Sequence, residues 1–496
     1  MIVIYCYDHF FNLVKYILVE IGRKDIIWNY AATFLRIAAS ILLYPLILRM
    51  MSPAKVGIWT IFAATTSFSV LLDFGFNESF TRNITYIFSG VRTLQAKGFS
   101  KIGYDRGSVD YGLLKGTIDA MRWFYLRVAV ILFAFLITFG TYYIHVLLKN
   151  YTEGHLEIYL AWFLLCLINT YQLYTLYYDS LMQGKGLIKR SKQIIIIGQS
   201  VYLIVASVMI LAKFGLVAIV SAQAFSVVIV RTLSYHSFFT KELKQALHSS
   251  IARTSKEILA AIYPNALKLG LTLLGGFLVT RSAIVLGSLY LTLEEIATYG
   301  VTIQVITIIV SLSGIYTTTF LPKIAQLRID HNGPEIKELY LKGQFVLVST
   351  FFLGGIFLIF FGEPALRLIG SQTHLMPQLL IFGAILIYFL ETNHSIAGTI
   401  IISRNDVPFL KASLLSGLST VILLLIFFNF TKMGLWAMIA APGISQGVYQ
   451  NWKWPLEVAK EFKITLKDTK RIMNSLIIKF FNIFKLRGNF DLTSPE

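Results

Sequence analysis

Cysteine is nearly absent: Cys6 and Cys166 are the only two in 496 residues. With no CxxC pair and no Cys/His cluster, the chain offers neither a disulfide framework nor a zinc site. Charge is scarce as well. Asp, Glu, Lys and Arg together make 14% of the residues, against 56% hydrophobic, and mean hydropathy is +0.67. That balance excludes an ordinary soluble domain and defines a polytopic membrane protein. Phosphate-binding glycine loops, nucleophile motifs and metal-ligand spacings are all missing, so no enzymatic activity, cofactor or metal is expected. Acidic residues are outnumbered 26 to 44 by Lys and Arg, giving a net charge of +18.

A membrane crossing takes about 20 apolar residues, and on that measure the chain reads as all-α with about twelve transmembrane helices. The first six fall at 28–49, 56–77, 123–148, 156–182, 194–211 and 215–234. The second six fall at 258–290, 295–321, 343–361, 375–402, 407–430 and 434–454. Lys and Arg set the orientation. With the N terminus inside, 33 of them lie on the cytoplasmic side and 6 outside, while Arg36, Arg127, Arg231, Lys268 and Arg281 fall within spans. Both termini are therefore expected in the cytoplasm, and the positive charge reflects topology and anionic inner-leaflet lipid rather than nucleic acid. The longest hydrophilic loops, 80–121 and 235–257, are then cytoplasmic.

Five regions follow: an interfacial segment at 1–27, a first lobe at 28–234, a cytoplasmic linker at 235–257, a second lobe at 258–454, and a basic tail at 455–496. Residues 1–27 carry Asp8, Lys15, Glu20 and Arg23 and lack a cleavable apolar core. In the tail, Ile472, Leu476, Phe480 and Phe484 recur every four residues among Lys and Arg, the pattern of a helix lying on the inner membrane face. An internal repeat supports two lobes of six helices. Residues 52–59 (SPAKVGIW) match 292–299 (TLEEIATY), and 80–84 (FTRNI) match 320–324 (FLPKI) at the same offset. An even number of spans per half implies parallel repeats with a cleft between them.

Three cations are out of place in such helices. A basic residue at the centre of a span costs roughly 2.5 to 3.5 kcal/mol on insertion scales, so Arg36, Lys268 and Arg281 are candidates for a watery cavity that binds an anionic group. Pro45 is expected to kink the first span above Arg36. Lys268 and Arg281 share a cavity only if the helix bends, and Gly275 and Gly276 lie between them. Arg127 and Arg231, near the inner interface, are expected to snorkel. Glu391 is a candidate either for an ion pair with Arg281 or for ion coupling, with Asp73 and Asp179 as further acids. Asp73, Arg82, Arg122 and Asp179 lie near inner helix ends and are candidates for a cytoplasmic gate. Tyr171, Tyr174, Tyr177 and Tyr178 are candidates to stack on sugar rings.

The stretch from Trp28-Asn29-Tyr30 to Pro45, then Val56-Gly57-Ile58-Trp59, Leu71-Leu72-Asp73-Phe74-Gly75-Phe76 and Thr81-Arg82-Asn83, resembles the polysaccharide-biosynthesis branch of the multidrug/oligosaccharidyl-lipid/polysaccharide (MOP) exporter superfamily. Within it the likeness is to Wzx-type O-antigen flippases. It is specific over residues 28–90 and general, in helix count and charge placement, elsewhere. The resemblance implies a MOP/MATE-like fold in a bacterial inner membrane. It implies transport of undecaprenyl-pyrophosphate-linked oligosaccharide to the outer leaflet by alternating access, for O-antigen or capsule synthesis. The partners implied are that lipid-linked substrate, membrane lipids, and a polysaccharide polymerase with its chain-length regulator. Two alternatives stand beside it: a multidrug antiporter of the same superfamily, which should carry acids rather than bases in its cleft, and a polymerase, which should present a large outer loop.

Overall fold

The computed structural model describes residues 23–92, 109–404 and 408–475, all helices and connections with no strand among them. Nine helices among the described residues are long and apolar enough to cross a membrane. Their walls are greasy outside as well as inside: Val130, Ile131, Phe352 and Phe360 are each more than half exposed. A soluble helix bundle would bury such side chains, whereas hydrocarbon solvates them. The interfacial segment expected before residue 23 and the tail beyond residue 475 lie outside the described residues.

By its internal contacts the chain forms two compact units. The first runs to Ala297 and includes Ile369–Thr373; the second holds Thr298–Leu368 and the residues from His374. In the first unit the helices are α1 (Arg23–Met50), α2 (Pro53–Leu72), α3 (Phe76–Phe88), α4 (Tyr111–Phe135), α5 (Thr141–Leu147), α6 (His155–Tyr174), α7 (Tyr177–Gly184), α8 (Ile188–Leu211), α9 (Gly215–Phe238), α10 (Lys241–Ser249) and α11 (Ser255–Gly287). α12 (Leu293–Ile329) begins in the first unit and continues in the second. The second unit adds α13 (Gly333–Leu368), α14 (Gln378–Ile402), α15 (Leu410–Phe430), α16 (Leu435–Gly447) and α17 (Gln450–Glu461).

Several expected elements are broken or extended. The loop expected at 80–121 is largely helical where described, since α3 reaches Phe88 and α4 starts at Tyr111. Asp110 caps α4 by accepting from the Leu113 amide at 2.8 Å. The second span ends at Leu72, where Gly75, at φ 69°, turns the chain into α3. The fourth span breaks at Thr175, and the twelfth breaks between α16 and α17. The third span is continuous only through a π-turn at Leu136–Gly140. There Gly140 leaves room for Trp162, whose ring would lie 2.6 Å from a Cβ, and Trp162 Nε1 donates to Thr141 Oγ1 at 3.0 Å.

α11 packs on α2, α3 and α4 within the first unit. Phe277 meets Phe68 with ring centroids 4.8 Å apart, and Gly270 accepts the Phe74 side chain where a Cβ would clash. By contacts the chain divides after Ala297, which keeps α11 with the helices before it. The repeated segments also meet in this unit: the Leu293 carbonyl oxygen would lie 2.0 Å from a Cβ on Gly57.

The second unit is built around Leu347, Phe351, Ala397, Ile400, Trp454 and Val458. At one end, Arg328 pairs with Glu461, and Arg404 with both Glu457 and Glu461, tying α12, α14 and α17. Residues 466–475 form a further helix held by Lys337, which lies 2.5 Å from Asp468. The Lys337 contact holds the Asp468 carboxyl well below the usual range.

Orientation is settled by labelling. A cysteine at Gly154, where a side chain meets open space, should react with an impermeant thiol reagent in intact cells, and one at Gly333 should not. Labelling at Gly333 from outside inverts the topology.

Candidate substrate site

The three cations sit on two helices of the first unit. Arg36 lies near the middle of α1, about 20 Å from either end at 1.5 Å per residue. Lys268 and Arg281 lie on α11, which is helical throughout Ser255–Gly287. The side chains of Arg36 and Lys268 lie outside the described residues, so helix position alone locates them. Arg281 is exposed, six residues before the end of its helix, between exposed Thr280 and buried Ser282. An exposed guanidinium at that depth is costly against lipid and favourable against water or an anion.

A second group forms where the helices end. Asp73 is buried at the C-terminal end of α2, its carboxylate accepting the Asn77 amide at 3.1 and 3.2 Å, and thereby caps α3. The Tyr125 hydroxyl donates to the same carboxylate at 2.6 Å. Tyr125 in turn stacks on Tyr177 with centroids 6.3 Å apart, and Arg122 Nε donates to the Tyr177 hydroxyl at 3.4 Å. Ser180 donates to the Asn77 carbonyl at 2.9 Å, fastening α7 to the start of α3. Of the four residues expected near a gate, Asp73 and Arg122 are thus linked through two tyrosines. Arg82 is exposed on α3 and has no part in this chain of contacts.

Asp179 has a different partner. Arg231 Nη1 donates to its carboxylate at 2.7 Å, and Arg231 is only 5% exposed. The expectation that Arg231 snorkels is therefore overturned: the half-buried Asp179 of α7 satisfies the buried guanidinium where it is. Arg127, expected to snorkel, is exposed with its guanidinium 3.5 Å from the Trp123 ring centroid. Three of the four tyrosines contact each other, Tyr177 meeting Tyr174 at 6.2 Å and Tyr178 at 4.5 Å. Tyr171 is exposed.

In the second unit, Glu391 lies on α14 beside Gln446 of α16. One turn along, His394 Nδ1 is 2.8 Å from the Asn451 Oδ1 of α17. Gln446, Gln450 and Asn451 are all buried, so this acid sits among amides rather than among bases. Nothing in the sequence pairs these residues, because they come from helices more than fifty positions apart. No group of three metal-ligating side chains occurs among the described residues.

No protein-family model matches the chain, and no curated protein sequence matches it. Solved structures do. The chain superposes on the lipid II flippase MurJ in an inward closed conformation with a TM-score of 0.58 at 14% identity, over 96% of this chain and 94% of that one. An inward-facing multidrug resistance transporter of the MATE family, MOP superfamily, gives 0.57 at 12% identity over 88% and 98%. A MOP superfamily transporter from Pyrococcus furiosus, described as having a binding pocket of reverse polarity that suggests a different function, gives 0.53 at 14% identity over 90% and 98%. The fold is that of the MOP superfamily transporters. At these identities the likeness establishes architecture, not substrate.

Proposed function

We propose that this protein is a flippase that carries undecaprenyl-pyrophosphate-linked oligosaccharide from the cytoplasmic to the outer leaflet of a bacterial inner membrane, by alternating access of two lobes. The observation that carries the reading is exposed Arg281 within the apolar stretch Gly270–Gly287 of α11, together with Arg36 and Lys268 in the spans expected at 28–49 and 258–290. A lipid-linked sugar must take a pyrophosphate across hydrocarbon, and fixed guanidinium or ammonium groups along a wet route lower that barrier. A drug-cation exporter needs the opposite sign of charge. The resemblance of residues 28–90 to Wzx-type flippases points the same way, and the shared fold with a lipid II flippase is compatible with it. Surface-polysaccharide synthesis then supplies the partners, a polymerase and its chain-length regulator.

Coupling falls to Glu391 in this reading. Asp73 is engaged as a helix cap and Asp179 in an ion pair, whereas Glu391 sits among buried amides with no cation among its resolved contacts. In proteoliposomes containing fluorescent undecaprenyl-pyrophosphate-N-acetylhexosamine, the protein should move the lipid between leaflets, accelerated by an imposed proton gradient. Glu391→Gln should remove the acceleration. Movement of a cationic dye but not of the lipid supports the drug antiporter instead.

A further inference from the structure

Between α6–α7, α8 and α9, inside the first unit, lies a cavity of about 250 Å³. Its wall is polar for a membrane-embedded space: Gln172, Asp179, Gln183, Gln199, Ser226 and Arg231 all face it. Asp179 and Arg231 neutralise one another at 2.7 Å, so the cavity suits neither a free cation nor a free anion. Ser226 Oγ is already committed to the Gly198 carbonyl at 2.8 Å.

The amides are not committed. Gln172 Oε1 is buried without a hydrogen-bond partner among the described residues. An unmet buried polar group costs about 1 to 3 kcal/mol, so the Gln172 side-chain carbonyl calls for a donor from whatever enters the cavity. Glutamine, aspartate and arginine around a charge-neutral space are suited to hydroxyls, which both donate and accept. The volume falls just below the ~300–1,000 Å³ of pockets for drug-sized ligands, which leaves room for one sugar ring and not for an oligosaccharide.

We propose that this cavity is a sugar pocket: it takes one pyranose ring of the substrate by its hydroxyls, with Gln172 and Gln199 as the residues that read it. The proposal rests on the flippase reading and adds a subsite distinct from the cations on α1 and α11. Asp179 and Arg231 would form the rim, their ion pair preserved, and the glutamines would make the contacts that distinguish a sugar-bearing lipid from a bare one.

The test compares two probes on purified protein in lipid nanodiscs, undecaprenyl pyrophosphate and the same lipid carrying one N-acetylhexosamine, by native mass spectrometry. The wild type should prefer the sugar-bearing probe by tenfold or more. Gln172→Leu/Gln199→Leu, which keeps side-chain size and removes the hydrogen-bonding groups, should bring the two affinities within about twofold while binding of the bare lipid is unchanged. Gln199→Leu alone, read the same way, decides the matter if the double variant does not fold; it should lower the preference at least threefold. A preference unaltered by substitution, or no preference in the wild type, overturns the sugar pocket and leaves the flippase reading standing. A wild type that binds neither probe contradicts the flippase reading itself, and the pocket falls with it.

Discussion

Replacing Arg281 by Ala should abolish surface polysaccharide while leaving the protein at its normal level in the membrane. The guanidinium is exposed on α11, whose packing runs through Gly270 and Phe277, with Ser288 just past its end bonded to Tyr143, rather than through Arg281. Truncation should therefore spare folding. Arg36→Ala should do the same from the middle of α1. Lys at either position should retain part of the activity, since it keeps the charge and loses the planar fork that grips two phosphate oxygens at once. Immunoblotting of membranes and gel analysis of extracted polysaccharide read both quantities from one culture. Normal polysaccharide in the Arg36→Ala strain makes that residue structural. The same outcome at Arg281 removes that guanidinium from the anion-binding set.

The long spans were legible in the sequence because lipid imposes a length and a composition on each helix, as at 188–211 and 215–238, expected at 194–211 and 215–234. Breaks inside spans were not legible. The interruption at Thr175 and the division between Gly447 and Gln450 depend on what packs alongside, and a hydropathy run does not record its neighbours. The Asp73-Phe74-Gly75 turn is an intermediate case: Gly75 and the capping acid are local signals, whereas the Tyr125 hydroxyl that completes the site lies 52 residues away. Arg231 carries the same lesson for charge. Its place near an interface suggested an anchor, and only the neighbouring helix, with Asp179 at 2.7 Å, reveals an ion pair that holds the buried guanidinium. The cations of α1 and α11 were conspicuous because lipid penalises them individually, without reference to any partner. The cavity of amides was not, because each Gln is an ordinary residue in a packed helix bundle and only their convergence makes a site.

Deleting the gene should stop export of polysaccharide and cause the lipid-linked single repeat unit to accumulate, because its synthesis precedes the blocked step. Both a flippase and a polymerase predict that accumulation, and they differ in where it occurs. The described connections outside the expected spans offer no large outer domain in which a polymerase could house its reaction; those at Tyr151–Gly154 and Ile369–Pro377 are a few residues long. The decisive measurement is therefore the accessibility of the accumulated unit in deletion cells to a lectin or glycosidase added outside, before and after permeabilising the inner membrane, in a strain with no second flippase. Protection in intact spheroplasts and full reaction after permeabilisation is the result expected of a lost flippase. A unit that reacts from outside without permeabilisation has already crossed, and would contradict the transport function.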